Sequence, residues 1–392
     1  MLMSNTRTSA GVLSGKLFVC RGIALSLAIA IVAGSAQTYD TAGAGTRIAL
    51  SQPLTVRWRY ESNLTLNLTP AFDEQRIYVP LAGGIIVSLK ASDGQLYWRS
   101  EMGGELSASP VADEHGVYVA SETGKSEAGI RRATGTLRAL GREGGVTQWM
   151  RTLAKPLRGS LTLNNGRLFA AGTDGKVYAF DSRTGEGRWF FDYAASFNCR
   201  PVVSKSRVYV GSEDGSLLAL DENKGSLLWR YRTKGPVRGP VAIANETVYF
   251  GSGDGYVYAV NSVTGQLLWR KRTGAGVEAV ARVEDSLLVA SLDNFVYLFS
   301  LNGARLWKRQ LPGRISSQPL TAPDGALFTP LSSSAGVVLG LHDGRQVNSL
   351  PTGEEITTSA SPIAVGDAVL LTTEHGLLAF FQPKENESPK RR

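Results

Sequence analysis

The sequence predicts an all-β protein: an eight-bladed β-propeller of four-stranded antiparallel blades, its ring closed by an N-terminal strand that completes the last blade. Three observations carry this expectation. The seven tryptophans, Trp58, Trp98, Trp149, Trp189, Trp229, Trp269 and Trp307, are spaced by 40, 51, 40, 40, 40 and 38 residues. The run before each is also repeated: A-V-N-S-V-T-G-Q-L-L-W at 259–269 follows A-L-D-E-N-K-G-S-L-L-W at 219–229 and A-F-D-S-R-T-G-E-G-R-W at 179–189. Finally, each unit holds four short runs rich in Val, Leu and Tyr, separated by turn pairs such as Asp214-Gly215 and Lys224-Gly225. A fixed period of this length marks a repeat architecture, and Asp-Gly between apolar runs is a strong hairpin signal because Gly accepts the positive φ of the turn.

Taken in order, the chain opens with a predicted signal peptide, residues 1–36. Arg7, Lys16 and Arg21 precede an apolar run from Gly22 to Ala33, and Gly34-Ser35-Ala36 supplies small residues for cleavage. That run is shorter than the about 20 residues that span a bilayer, so no spanning segment is expected in the mature chain. Cys20 precedes the apolar run and follows Val19, so it does not form a lipobox. A linker is expected over 37–50, the propeller over 51–383 and a disordered basic tail over 384–392.

The first strand, Pro53 to Tyr60, carries Trp58 with no blade before it. Complete units then end at Trp98, Trp149, Trp189, Trp229, Trp269, Trp307 and Asn348, the last standing where an indole is expected. An eighth unit begins at Ser359 and stops without a Trp strand, which the Trp58 strand supplies. The second unit is longer by a polar, Gly-rich stretch from Thr123 to Gly135, expected as a loop. Basic residues follow most of the tryptophans. They read either as a cationic rim for anionic lipid, polysaccharide or an acidic partner, or as charges that discourage edge-to-edge pairing. Their spread around the repeat favours the second reading.

Composition limits the chemistry. Without the three cations of the leader, 39 basic face 34 acidic side chains, a balance of +5 that does not imply nucleic-acid binding. Cys199 is the only cysteine of the mature chain, so no internal disulfide is expected; it reads as a small buried hydrophobe. His115, His342 and His375 sit in turns without partners at metal-ligand spacing. The sequence shows no nucleophile elbow and no phosphate-binding Gly loop.

The repeated A-x-D-x-x-x-G-x-x-x-W resembles the tryptophan-docking motif of pyrroloquinoline-quinone-type propeller repeats. Two units match throughout (Ala179, Asp181, Gly185, Trp189; Ala219, Asp221, Gly225, Trp229), and a third has Asn261 for the Asp. The resemblance implies that each indole docks between blades. Within these propellers the chain is similar to the BamB family of outer-membrane-protein assembly factors. That implies an exported, non-enzymatic, monomeric scaffold of the periplasm or cell envelope, with no cofactor. Its implied partner is an envelope protein such as a BamA-like barrel-assembly subunit, held through blade-connecting loops.

By the same resemblance Leu157, Arg158 and Gly159 are the partner-binding run, although Val237-Arg238-Gly239 looks alike and Arg158 also reads as an exposed loop cation. The family's acidic residues in the following blade are not matched by Phe197-Asn198-Cys199. Two alternatives stay open: a ligand-binding propeller for a quinone or glycan, and a quinoprotein dehydrogenase using pyrroloquinoline quinone with calcium. The second is disfavoured by the lack of paired cysteines and of long insertions.

Overall fold

The computed structural model describes residues 48–127 and 130–383, with side chains described outside 125–132. The expected signal peptide, the linker up to residue 47 and the basic tail lie outside the described residues. No helix occurs among the described residues, so none there is long and apolar enough to cross a membrane.

Short apolar runs broken by Gly-containing turns give antiparallel hairpins, and these assemble into six four-stranded sheets and one eight-stranded sheet. The larger sheet consists of two four-stranded antiparallel halves joined by a single parallel bridge, Ser160 to Ser109. Numbered along the chain, the sets of four strands cover 71–101, 105–153, 157–192, 202–232, 242–272, 277–310, 320–351 and 363–381. The last of these has three strands of its own, and Thr55–Glu61 pairs with Gly376–Phe381 as its fourth. The architecture is that of a β-propeller.

The motif residues have separable jobs. In the fourth set Ala219 lies between Tyr209 and Trp229 in adjacent ladders, and its small side chain lets the two rings meet across it at 5.9 Å. Asp221 Oδ1 accepts from the backbone N–H groups of Asn223 and Lys224 and so closes the turn. Asn261 Oδ1 makes the equivalent bonds to Val263 and Thr264, which explains why Asn replaces Asp without cost to the turn. Gly265 sits at φ +71°, and a Cβ there would stand 2.8 Å from Trp229 Cδ2. Only glycine allows that approach.

The core is distributed between sets. Among the described residues eight clusters form, each shared by two sets consecutive in the order above, with the eighth set packed on the first. Ile77 and Val87 of the first set thus meet Leu370 and Phe381 of the eighth. Fully burying such a side chain stabilises by about 1.5–3 kcal/mol, so the seams hold the sets together.

One expectation fails. The stretch from Thr123 to Gly135 is not a loop: Val117–Glu127 and Ile130–Leu140 continue as a long hairpin, with Thr123 opposite Thr134 and Glu127 opposite Ile130. The polar residues misled because a hairpin reaching beyond its neighbours has no apolar face to bury.

Candidate protein-binding site

The inner segments share a pattern of apolar, polar, then small residue: Leu157-Arg158-Gly159 and Val277-Glu278-Ala279 open the inner strands of their sets, and Phe197-Asn198-Cys199 and Val237-Arg238-Gly239 lie just ahead of the inner strands Val202–Ser204 and Ala242–Ala244. The first residue of each is buried, with Leu157 only 1% exposed. The third lets successive inner strands touch. Gly159, at φ +75°, would carry a Cβ 2.6 Å from the Cys199 carbonyl. So Leu157 belongs to the core and Gly159 to a backbone contact; of this expected partner-binding run, Arg158 alone has a side chain partly exposed to solvent.

Each arginine is held by an acid of the preceding set. Arg158 Nη2 donates to Glu122 Oε2 at 2.6 Å. Arg238 is bidentate, Nε and Nη2 donating to the two Glu213 oxygens at 2.9 and 2.8 Å. Asn198 Nδ2 adds a 3.0 Å bond to Glu213 Oε1. The sequence separations of 36 and 25 differ by the 11 residues added in the second unit, so both pairs occupy one structural position. Sequence reasoning missed Glu122 and Glu213. Their signal was the S-E-T-G and S-E-D-G context one unit upstream of each x-Arg-Gly run.

Electrostatics distinguish these side chains. The Arg238 guanidinium holds the Glu213 carboxyl below its usual range, against the opposing effect of burial. Glu278, next along, is pushed up chiefly by burial, with Arg238 opposing and Glu213 adding to the shift. Arg238 therefore stands between two carboxylates, fully bonded to only one.

Of these residues Gly159, Asn198, Arg238 and Glu278 line a cavity of about 690 Å³, whose walls come from the inner segment of every set, with Asn67, Ser109, Gln318 and Ser361 among them. Its chemistry is hydrogen bonding and fixed charge. Among the described residues no group of three or more His, Cys, Asp or Glu side chains could hold a metal ion. Cys199 is buried and its thiol is pushed up to about 12, so it stays protonated.

The seven indoles are placed alike, at the seams. Each Nε1–H donates to a backbone carbonyl of the next set, from Trp58 to Ala91, and on through Trp98, Trp149, Trp189, Trp229 and Trp269 to Trp307 on Leu341.

Comparison with known proteins gives this geometry a family. The family described as outer membrane protein assembly factor BamB matches residues 45–137, 133–272 and 218–389, which together span most of the chain. The chain belongs to the BamB family. A curated BamB, the outer membrane protein assembly factor of Burkholderia pseudomallei, is 25% identical over 178 residues, 43% of this chain and 42% of that protein. The match thus spans less than half the length of that relative. Among solved structures, BamB from Moraxella catarrhalis superposes with a TM-score of 0.69 at 16% identity, covering 86% of this chain and 99% of that one. Quinohemoprotein alcohol dehydrogenase from Comamonas testosteroni superposes with a TM-score of 0.69 at 11% identity, over 90% of this chain and 79% of that one. Likeness at such identities establishes the fold alone, and both the BamB and the dehydrogenase folds are shared here.

Proposed function

We propose that this chain is an exported, non-enzymatic scaffold of the cell envelope that binds a BamA-like barrel-assembly subunit. Its eight sets of strands are read as eight blades of one closed ring, supported by the pairing of Thr55–Glu61 with Gly376–Phe381. The observation that carries the functional reading is the BamB-family match along nearly the whole propeller. On this reading the partner docks at Arg158, which is supported by a side chain that is 39% exposed and already oriented by Glu122. A preoriented, half-exposed guanidinium loses little freedom when it meets a carboxylate on a partner. No cofactor is needed for this role.

The test is affinity purification of the tagged chain from envelope extracts, beside an Arg158→Glu variant. Recovery of a barrel-assembly subunit that falls at least tenfold with the variant is expected. Equal recovery would move the contact elsewhere, and no recovery at all would remove the scaffold reading. The cavity of about 690 Å³ supports a second reading, a ligand-binding propeller. A thermal shift with pyrroloquinoline quinone plus calcium, or with envelope polysaccharide, would favour it; dye-linked alcohol oxidation after reconstitution would favour a dehydrogenase.

A further inference from the structure

The outermost strands of the sets are not equivalent. In the eighth set Arg59 is neutralised along its own strand by Glu61 at 3.6 Å, and in the first Arg99 by Glu101 at 3.2 Å. In the third, Asp192 on the edge pairs with Lys176 at 2.9 Å. The fourth and fifth sets carry Arg232 and Arg272 at the place of those acids, and the strands Leu227–Arg232 and Leu267–Arg272 contain no acid. Among the described residues, none of Arg230, Arg232, Arg270, Lys271 and Arg272 forms an ion pair. All five are exposed.

Large apolar side chains are exposed on the same edges. Leu227 and Leu228 sit at the bulge before Trp229, and Leu267 and Leu268 at the equivalent bulge before Trp269. Leu268 is 54% exposed and Leu306, on the acid-free edge of the sixth set, 55%. Arg270 lies over the Tyr256 ring at 5.0 Å and Lys308 over Phe295 at 3.5 Å, which keeps these cations spread along the surface. Leucines beside unpaired cations, repeated on three successive edges, form an amphipathic basic sector.

We infer that this sector docks the propeller on an anionic phospholipid surface, the leucines entering the headgroup layer and the cations meeting phosphate. Charge complementarity and breadth argue for a membrane. An acidic extended peptide can pair with one strand edge, whereas the leucines and cations are spread over three, and a bilayer reads charge density and apolar area without requiring a groove. The inference is independent of the partner at Arg158.

The test is co-sedimentation of the full chain with phosphatidylcholine vesicles, with and without phosphatidylglycerol. The full chain is compared with an Arg230→Glu/Arg270→Glu variant, a Leu228→Ser/Leu268→Ser variant and, as control, Arg59→Glu/Arg99→Glu. Each juxtaposed cation is worth about fivefold in affinity, so the first variant should bind phosphatidylglycerol vesicles about thirtyfold or more weakly. The leucine variant should also lose binding and the control should keep it, all with unchanged tryptophan fluorescence. Equal binding by the Arg230→Glu/Arg270→Glu variant and the parent chain overturns the inference. So does no dependence on phosphatidylglycerol, or binding to an acidic peptide through these residues without binding to vesicles.

Discussion

Trp229 and Asn348 occupy the same register position, opposite Ala219 and Val338 in their sets, yet they hold their seams by different means. Trp229 is 7% exposed, lies flat on Gly265 and donates to the Ser262 carbonyl at 2.9 Å. Asn348 has no ring to bury. Its Nδ2 instead donates to the carbonyls of Leu50 and Gln52 at 2.9 and 2.7 Å. Asp324 anchors the same segment by accepting from the Leu50 and Ser51 N–H groups. Ile48, Leu50 and Leu54 then enter the core between the seventh and eighth sets. A repeat can lose its signature side chain where another stretch of chain supplies the apolar volume and a polar residue pins it.

Three substitutions would break or sharpen that comparison. Trp229→Ala should cost the most, about 3–5 kcal/mol, because it removes a buried ring and leaves a void beside Gly265. The readout is a lowered midpoint in thermal unfolding; a loss under 1 kcal/mol would mean the seam does not depend on its indole. Asn348→Ala should cost about 1–2 kcal/mol, since two backbone carbonyls lose their donor while the apolar contacts of Leu50 remain. Proteolysis near residue 50 should rise in parallel, and an effect as large as that of Trp229→Ala would contradict the division of labour drawn above.

The smallest effect is expected where sets are linked by an exposed ion pair rather than by apolar burial, at Glu213→Gln, about 1 kcal/mol at neutral pH. The folded Glu213 carboxyl lies below its ordinary value of 4.5, so its contribution is present above that value and is lost as the pH falls through the folded one. Stability of parent and variant should therefore converge in acid. A gap that widens on acidification would show that the Arg238 pairing does not set this carboxyl.

The indole seams were legible because their signal is local: Ala, Asp or Asn, Gly and Trp fall within eleven residues of one hairpin. The seam at Asn348 was not, since its partners Leu50 and Gln52 lie 298 and 296 residues away in a stretch without periodicity. The run at 157–159 was singled out by its resemblance to the family's Leu-Arg-Gly run. That Leu157 faces the core, and that Glu122 grips Arg158, could not be read from the sequence, because the grip crosses between sets and shows only when neighbouring repeats are placed side by side. The basic sector was hidden for a related reason. Cations follow most of the tryptophans, and what separates Arg230 from Arg59 is the residue two positions further on.

The pairing of Thr55–Glu61 with Gly376–Phe381 also has a consequence in time. As the chain emerges from its N-terminal end, the first strand among the described residues finds its ladder partner last. Until then it presents Trp58 and an unpaired edge, while the sets between can dock on one another in order. Loop closure over so long a span costs only about 0.6 kcal/mol more per doubling of length, so the delay is kinetic rather than thermodynamic. The eighth set is thus completed last, and in an unfinished copy Thr55–Glu61 is an open edge available to unintended pairing.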